Sequence, residues 1–435
     1  MKPVVNSLRA RTRVVKQRKS DRAGLRASVA RARLAQAPTE SRPKFIAVDF
    51  FCGAGGTTRG LIDAGGYVIA GVDKERRCEL TYVENNRNTH GDRAPPIFLA
   101  RDVFPRTGEY LAGEQTELAA ELSGAIAAAR RQFPGVPLLF AICAPCQPFT
   151  TMSRYAMSEE RLEKRDRDSN LLRSALFFVA EHDPELVLSE NVAGISDPRF
   201  GGIWAEFRTD LERLGFATGS KTVCVSRFGV PQYRKRSILL ASKREQTAPS
   251  YLADLLKGEL TVPERDPAAP AADVRSAIGH LPPLGAGETH PSIPNHRTRS
   301  LSDLNRKRIG AAQPGETNRY LFDTEHGDLS LACQRRIREK GGGFNDVYTR
   351  MRPDTPSPTI TTRSHSICNG RFGHYDTSQL RGISLREAAA LQSFADDYVF
   401  YPTNQIEQVS RMIGNAVPPR LARFFADYLV GSLNR

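Results

Sequence analysis

Two short motifs carry groups capable of covalent chemistry. Ala144-Pro145-Cys146-Gln147-Pro148-Phe149 places a cysteine in a proline-flanked turn, and Glu190-Asn191-Val192 begins 44 residues after Cys146. A thiolate is the most nucleophilic side chain near neutral pH and can later be expelled. A carboxylic acid kept neutral by burial can deliver a proton or a strong hydrogen bond. Together they suit addition to a poor ring electrophile such as cytosine. The thiolate would attack C6 while the acid engages the ring nitrogen N3. C5, made carbanion-like, could then take an alkyl group from a cationic donor.

Other readings of the same residues exist. Cys143 and Cys146 form a C-x-x-C, which elsewhere is half a zinc site or a redox pair. A zinc site needs two further ligands at similar spacing, and the chain has no second C-x-x-C and no H-x-x-x-H, so no metal is expected. Cys143 is expected to end a buried strand as a small apolar residue. Glu190 alone could be a solvated loop carboxylate. Its place directly after Leu186-Val187-Leu188 points instead to a strand end at the rim of a site.

The elements that must position these groups follow an α/β pattern. Apolar runs at 45–51, 67–72, 97–99, 138–143, 186–189, 222–225 and 237–241 read as strands, with a long alanine-rich helix at 114–131. The expected fold is a Rossmann-like, mostly parallel sheet of seven strands, with ligands at the carboxyl ends of the strands. The first strand runs into Phe51-Cys52-Gly53-Ala54-Gly55, where Gly53 and Gly55 would let the backbone approach a ligand closely. Thr58 stands where a dinucleotide fingerprint needs glycine, which argues against NAD. Asp73 and Asp102 end the second and third strands; each could be a helix cap or loop acid, but together they suit a cofactor. Beyond 242 the periodicity fails. Seven prolines between 263 and 294 mark an irregular inserted module, and helices return at 385–394 and 420–429.

The net charge of +14 is unevenly placed. Residues 1–44 hold thirteen Lys and Arg against Asp21 and Glu40, an excess of eleven. Such an arm could tether phosphates, or be a solubilising tail or an organellar transit segment. Seven cysteines without a framework fit a reducing compartment, and no stretch has the length and apolarity of a membrane span. A cytoplasmic protein is expected.

Taken together, the motifs resemble those of the cytosine-C5 DNA methyltransferases. The Pro-Cys-Gln and Glu-Asn-Val turns, the Phe51–Gly55 turn, Gln232-Tyr233-Arg234-Lys235-Arg236, the segments around Gly343-Phe344-Asn345 and Pro358-Thr359-Ile360, Leu391-Gln392-Ser393-Phe394 and Gly414-Asn415 occur in the family's order. Ala144, Ala390 and Ala395 replace residues common elsewhere in the family, and none is a catalytic group. The resemblance implies Cys146 as nucleophile and Glu190 on N3, with Gln147 and Asn191 shaping the pocket. Arg234 and Arg236, on one side of an extended segment, would grip the pyrimidine O2 and a phosphate. S-adenosyl-L-methionine would lie against Phe51, Gly53, Gly55, Asp73 (ribose), Asp102 (adenine) and Asn415 (methionine end). The implied organisation is a basic arm at 1–43, a catalytic domain at 44–245, a target-recognition domain at 246–375 and a returning segment at 376–435. Double-stranded DNA is the implied partner of a monomer, with a cognate restriction endonuclease acting on the same site if the chain belongs to a restriction-modification system. A tRNA-cytosine methyltransferase of the same fold typically has a Cys-Phe-Thr tripeptide, absent here. A silent DNA-binding regulator would have lost Cys146 or Glu190. The target sequence has no readable code in 246–342.

Overall fold

The computed structural model describes residues 42–145, 159–197, 202–243, 260–270, 272–335, 345–431 and 433, with side chains of the helix at 159–182 described from 170. Cys146, Gln147, Gly343, Phe344 and residues 1–41 of the basic arm lie outside the described residues. The elements are β1 (Ile46–Phe50), α1 (Gly56–Asp63), β2 (Tyr67–Val72), α2 (Glu79–Asn85), β3 (Ile97–Leu99), α3 (Gln115–Gln132), β4 (Leu138–Ile142), α4 (Glu159–His182), β5 (Leu186–Val192), α5 (Ile203–Arg213), β6 (Phe216–Cys224) and β7 (Lys235–Lys243). The sheet order is β3-β2-β1-β4-β5-β7-β6, with every observed pairing parallel except those made by β7.

Central parallel strands are covered on both faces, and β1 is buried at every position. Successive side chains nonetheless serve different layers. Ile46, Val48 and Phe50 join the cluster formed with α3, α4 and α5, whereas Phe45 and Ala47 join the one beneath α1. That second layer is completed by the end of the chain.

Three strands run further than their apolar cores suggest. β5 continues through Glu190, Asn191 and Val192 because these pair with Ile238, Ser237 and Arg236 of antiparallel β7. Glu190 is therefore a strand residue, where a turn residue past the strand end was expected. β6 begins at Phe216 and β7 at Lys235, since a hairpin satisfies its backbone whatever the side chains are. The apolar pattern does not announce helix α4, whose first half is dense in charges of both signs.

After β7 come α6 (Val274–Ile278), α7 (Asp303–Ala311), α8 (Leu385–Leu391), α9 (Ile406–Asn415) and α10 (Pro419–Gly431). The stretch between α6 and α8 is held largely by loops and isolated bridges around Ile309, Leu321, Tyr348 and Ile367. Its hub is Arg350, fully buried, which donates to the carbonyl oxygens of Ile309, Ala312, His374, Thr377, Asp376 and Gln379 at 2.7–3.4 Å. A guanidinium satisfies loop carbonyls that would form ladders elsewhere. Burial brings this guanidinium down to about 10.

The two ends of the described unit meet. Any side chain at Gly60 of α1 would strike the backbone of Pro419 and the methyl of Ala422 in α10, so the two helices touch through glycine. Beside them Lys44 pairs with Asp427 at 2.8 Å. Among the described residues no helix is long and apolar enough to cross a membrane.

Candidate active site

Glu190 and Arg236 form the charged centre of the site. Because Glu190 faces Ile238 and Val192 faces Arg236 across β5 and β7, Glu190 and Arg236 are diagonal neighbours on one face. Two long side chains bridge that diagonal, and Arg236 Nε lies 2.7 Å from Glu190 Oε1. Both residues are less than one-tenth exposed. Burial holds the Arg236 guanidinium below its ordinary value, and the Glu190 charge opposes that shift.

The strand beside this pair is fixed where it leaves the sheet. Ser189 Oγ donates to the carbonyl oxygen of Ile142 at 2.5 Å, and Asn191 Nδ2 donates to that of Ala144 at 3.1 Å. Asn191 Oδ1 in turn accepts from the amide of Val192. The end of β5 therefore sets the path of 142–144, the residues leading to Cys146. Burial, and then the charges of Glu190 and Asp49, push the Cys143 thiol well up. A thiol so held is a poor nucleophile; Cys143 lies one residue past β4 rather than ending it, half-buried against the layer beneath α1.

Arg234 does not share the grip expected of it. It is buried just before β7, with Nη1 donating to Ile360 O at 3.0 Å and both Nη1 and Nη2 donating to Gly414 O. Extended alternation does put it on the side of Arg236, but here that side meets the loop at 360 and the end of α9. Its partners are backbone oxygens rather than an open pocket. Gln232 does similar work. Its Oε1 accepts from Ile360 N at 2.8 Å, its Nε2 donates to Gln392 Oε1 at 2.9 Å, and Gln392 Nε2 reaches Ile413 O at 2.7 Å. These two glutamines tie β7, the loop at 360, α8 and α9 into one frame.

The glycine turn after β1 has two different glycines. Gly53 has φ +50°, and a methyl group built there would meet only Asp73 Oδ2, at 4.0 Å, so this side of the turn is open. Gly55, at φ +88°, faces Asn86, Tyr398 and Tyr82. Its missing side chain makes room for protein, not for a ligand as expected. Phe51, also at positive φ (60°), packs at the edge of the main core. Asp73 Oδ2 accepts from Gly53 N at 2.9 Å and Oδ1 from Glu75 N at 2.8 Å, so its carboxylate joins the ends of β1 and β2. Burial raises its pKa. Asp102 Oδ1 accepts from Phe104 N at 3.2 Å, and Lys74 Nζ stands 4.0 Å from Oδ2. Asn415 is exposed at the last turn of α9, next to Gly414, which packs on the backbone of Thr361 and Thr362.

Sequence reasoning missed a buried cluster beneath this turn. Asp49, fully buried within β1, accepts from Thr58 Oγ1 at 2.7 Å, and the Tyr82 hydroxyl lies 3.0 Å from the same oxygen. Tyr398 donates to Ala54 O at 2.5 Å and receives a bond from Asn86 Nδ2. Burial pushes the Asp49 carboxyl up to about 7. The signal was present as one carboxylate inside an unbroken apolar run. Thr58 therefore supports the turn from below, which glycine could not do.

The family model for C-5 cytosine-specific DNA methylase matches residues 124–430. The chain is 31% identical over 382 residues to the Type II methylase M.HgiDII of Herpetosiphon aurantiacus, covering 87% of this chain and 93% of that protein. It is 28% identical over 457 residues to the Type II methyltransferase M.AgeI of Thalassovita gelatinovora, covering 87% and 98%. Among solved structures, a chain encoded within an E. coli prophage and described as a DNA modification methyltransferase superposes with a TM-score of 0.59. At 19% identity it covers 90% of this chain and 100% of its own, a likeness of fold.

Proposed function

The chain belongs to the C-5 cytosine-specific DNA methylase family and is a DNA (cytosine-5-)-methyltransferase; from that premise we propose that it works through a covalent Cys146 adduct on a flipped cytosine in duplex DNA. The Glu190–Arg236 pair, enclosed beside the tied exit of β4, carries this reading. Extrusion of the base costs a few kcal/mol of unstacking. Cys146 Sγ bonds to C6 as Glu190 engages N3 and the exocyclic amine, and Arg236 holds Glu190 and reaches O2. After C5 is methylated, its proton leaves and the C6–S bond breaks, which returns the cysteine. Asn191 keeps the approach to Cys146 in place through Ala144, with Gln147 beside the nucleophile.

The residues around the glycine turn fit S-adenosyl-L-methionine. The open side of Gly53 and the buried, hydrogen-bonded carboxylate of Asp73 form a polar cradle. Asp73 would accept the ribose hydroxyls, Asp102 the adenine amine, and Phe51 and Asn415 would flank the ligand. When bound, the cofactor supplies an electrophilic methyl group.

Both relatives above carry Type II names. We accordingly assign this chain the methylation of one fixed duplex site, alongside an endonuclease cutting the same site. Bisulfite sequencing of DNA from cells expressing the wild type should show one methylated context, absent with Cys146→Ala. Duplexes with 5-fluorocytosine should trap the enzyme, because fluorine cannot leave C5 as a cation. A trapped adduct on another residue, or methylation confined to tRNA, overturns the reading.

A further inference from the structure

A recess of about 500 Å³ opens at the start of α9, and it shares no residue with the Glu190–Arg236 pair. Three guanidiniums line it, and each comes from a different part of the chain: Arg77 follows β2, Arg297 lies between α6 and α7, and Arg411 is on α9. We propose that this recess is an anion site that binds a phosphate-class oxyanion.

The neighbouring packing brings the three together. Cys78, next to Arg77, is buried with Met412 and Ile413 of α9, and Thr81 Oγ1 accepts from Tyr401 N at 2.9 Å. Asn295, two residues before Arg297, is bonded through its amide to both the carbonyl oxygen and the amide of Phe400 at 2.9 and 2.8 Å. The arginines are thus presented by fixed backbone.

Their charge is poorly answered by the protein. Arg77 Nε reaches Glu75 at 3.0 Å, outside the recess, and Arg297 Nη1 donates to Asn404 O at 3.2 Å. Arg297 Nε is enclosed with no hydrogen-bond partner among the described residues, and the Arg411 guanidinium has no polar partner among them either. The one carboxylate in the lining, Glu407, lies 3.6 Å from Arg299, which is outside it. Three positive groups therefore line the recess with one acid, Glu407, and only Arg77 is paired with a carboxylate, Glu75, which lies outside it. The recess also takes in the first turn of α9, a ten-residue helix whose Gln405 cap makes no side-chain bond. Its amide dipoles add to the same positive field. Guanidinium forks and helix amides together match tetrahedral phosphate oxygens.

Two sources present that chemistry: a backbone phosphodiester of the duplex, which rests on the methyltransferase reading, and free phosphate, which does not. Full-length wild type and the Arg77→Gln/Arg411→Gln double variant decide between them. For a duplex phosphate, the variant should weaken cognate and random duplexes alike. The slope of log K against log salt should become shallower by about 0.9 for each phosphate no longer neutralised, or ~1.8 for two. For free phosphate, inorganic phosphate should raise the Tm of the wild type above that in chloride at equal ionic strength, and should not raise that of the variant. An unchanged slope together with equal phosphate response of the two proteins overturns the site. If the bisulfite test fails while the phosphate response separates the proteins, the site stands and the methyltransferase mechanism falls.

Discussion

Arg234 holds the carbonyl oxygen of Gly414 with both terminal nitrogens, Nη1 at 3.1 Å and Nη2 at 3.2 Å. Two residues on, Arg236 holds the carboxylate of Glu190 at 2.7 Å. One strand start sends one guanidinium to backbone carbonyls and the other to a carboxylate, although the two have the same residue type, burial and side.

The two arginines should therefore fail differently. Arg234→Lys should lower stability by roughly 1.5–3 kcal/mol, the range for lost charge-assisted bonds to buried oxygens. Arg236→Lys keeps the charge but not the fork, and should slow turnover by about tenfold, equivalent to ~1.4 kcal/mol in the transition state. Urea unfolding and single-turnover methylation read the two effects. An Arg234 variant with native stability and slow chemistry would restore it to the base pocket.

Glu190→Gln should bind duplex but turn over at least ~100-fold more slowly, the low end for losing general-acid help. The amide preserves shape and the contact with Arg236, yet cannot deliver a proton. Near-normal turnover would assign the protonation of N3 to another group.

Asp73→Ala removes the acceptor of Gly53 N and the proposed acceptor of ribose at once. S-adenosylmethionine affinity should fall by roughly 1–3 kcal/mol, the cost of unpaired buried partners. Asp73→Asn retains one oxygen and should recover part of that loss. Calorimetry with unchanged binding in both variants removes Asp73 from the cofactor site.

Asp49 gives a pH prediction. Its carboxyl is raised from 3.8 to about 7 in the folded chain, so the native state binds the proton more tightly than the unfolded state does. The stabilisation is complete below the unfolded value, declines as pH rises through this window, and is gone above about 7. Asp49→Asn stays neutral throughout. Unfolding free energies at pH 4.5 and 7.5 should show the wild type losing a few kcal/mol relative to the variant. Parallel pH dependence in the two proteins would mean that Asp49 does not titrate in this window.

The sheet was legible because central parallel strands must be apolar on both faces, and residues 46–50 and 138–142 read as such. The ends of β5, β6 and β7 were not, since antiparallel pairing fixes backbone without asking for apolar side chains. Glu190 and Arg236 stand out by motif, and only the register explains how they meet. The side chains of Gln232 and Arg234 depend on partners 126 to 180 positions away. No local pattern reports pairings of that span. Asp49 was legible in kind, as a lone acid in an apolar run, but its partner Thr58 shows in the sequence only as a break in a glycine fingerprint.

The Lys44–Asp427 pair and the packing of α1 on α10 place the first strand and the last helix side by side. Linear order is therefore not something this architecture requires. A gene for residues 43–433 could join its ends through a short linker and start instead in the exposed stretch around 264–268, before α6. The rearranged polypeptide would begin with the loop-rich module and finish about twenty residues past β7, and circular dichroism should show the same α/β content as the original order.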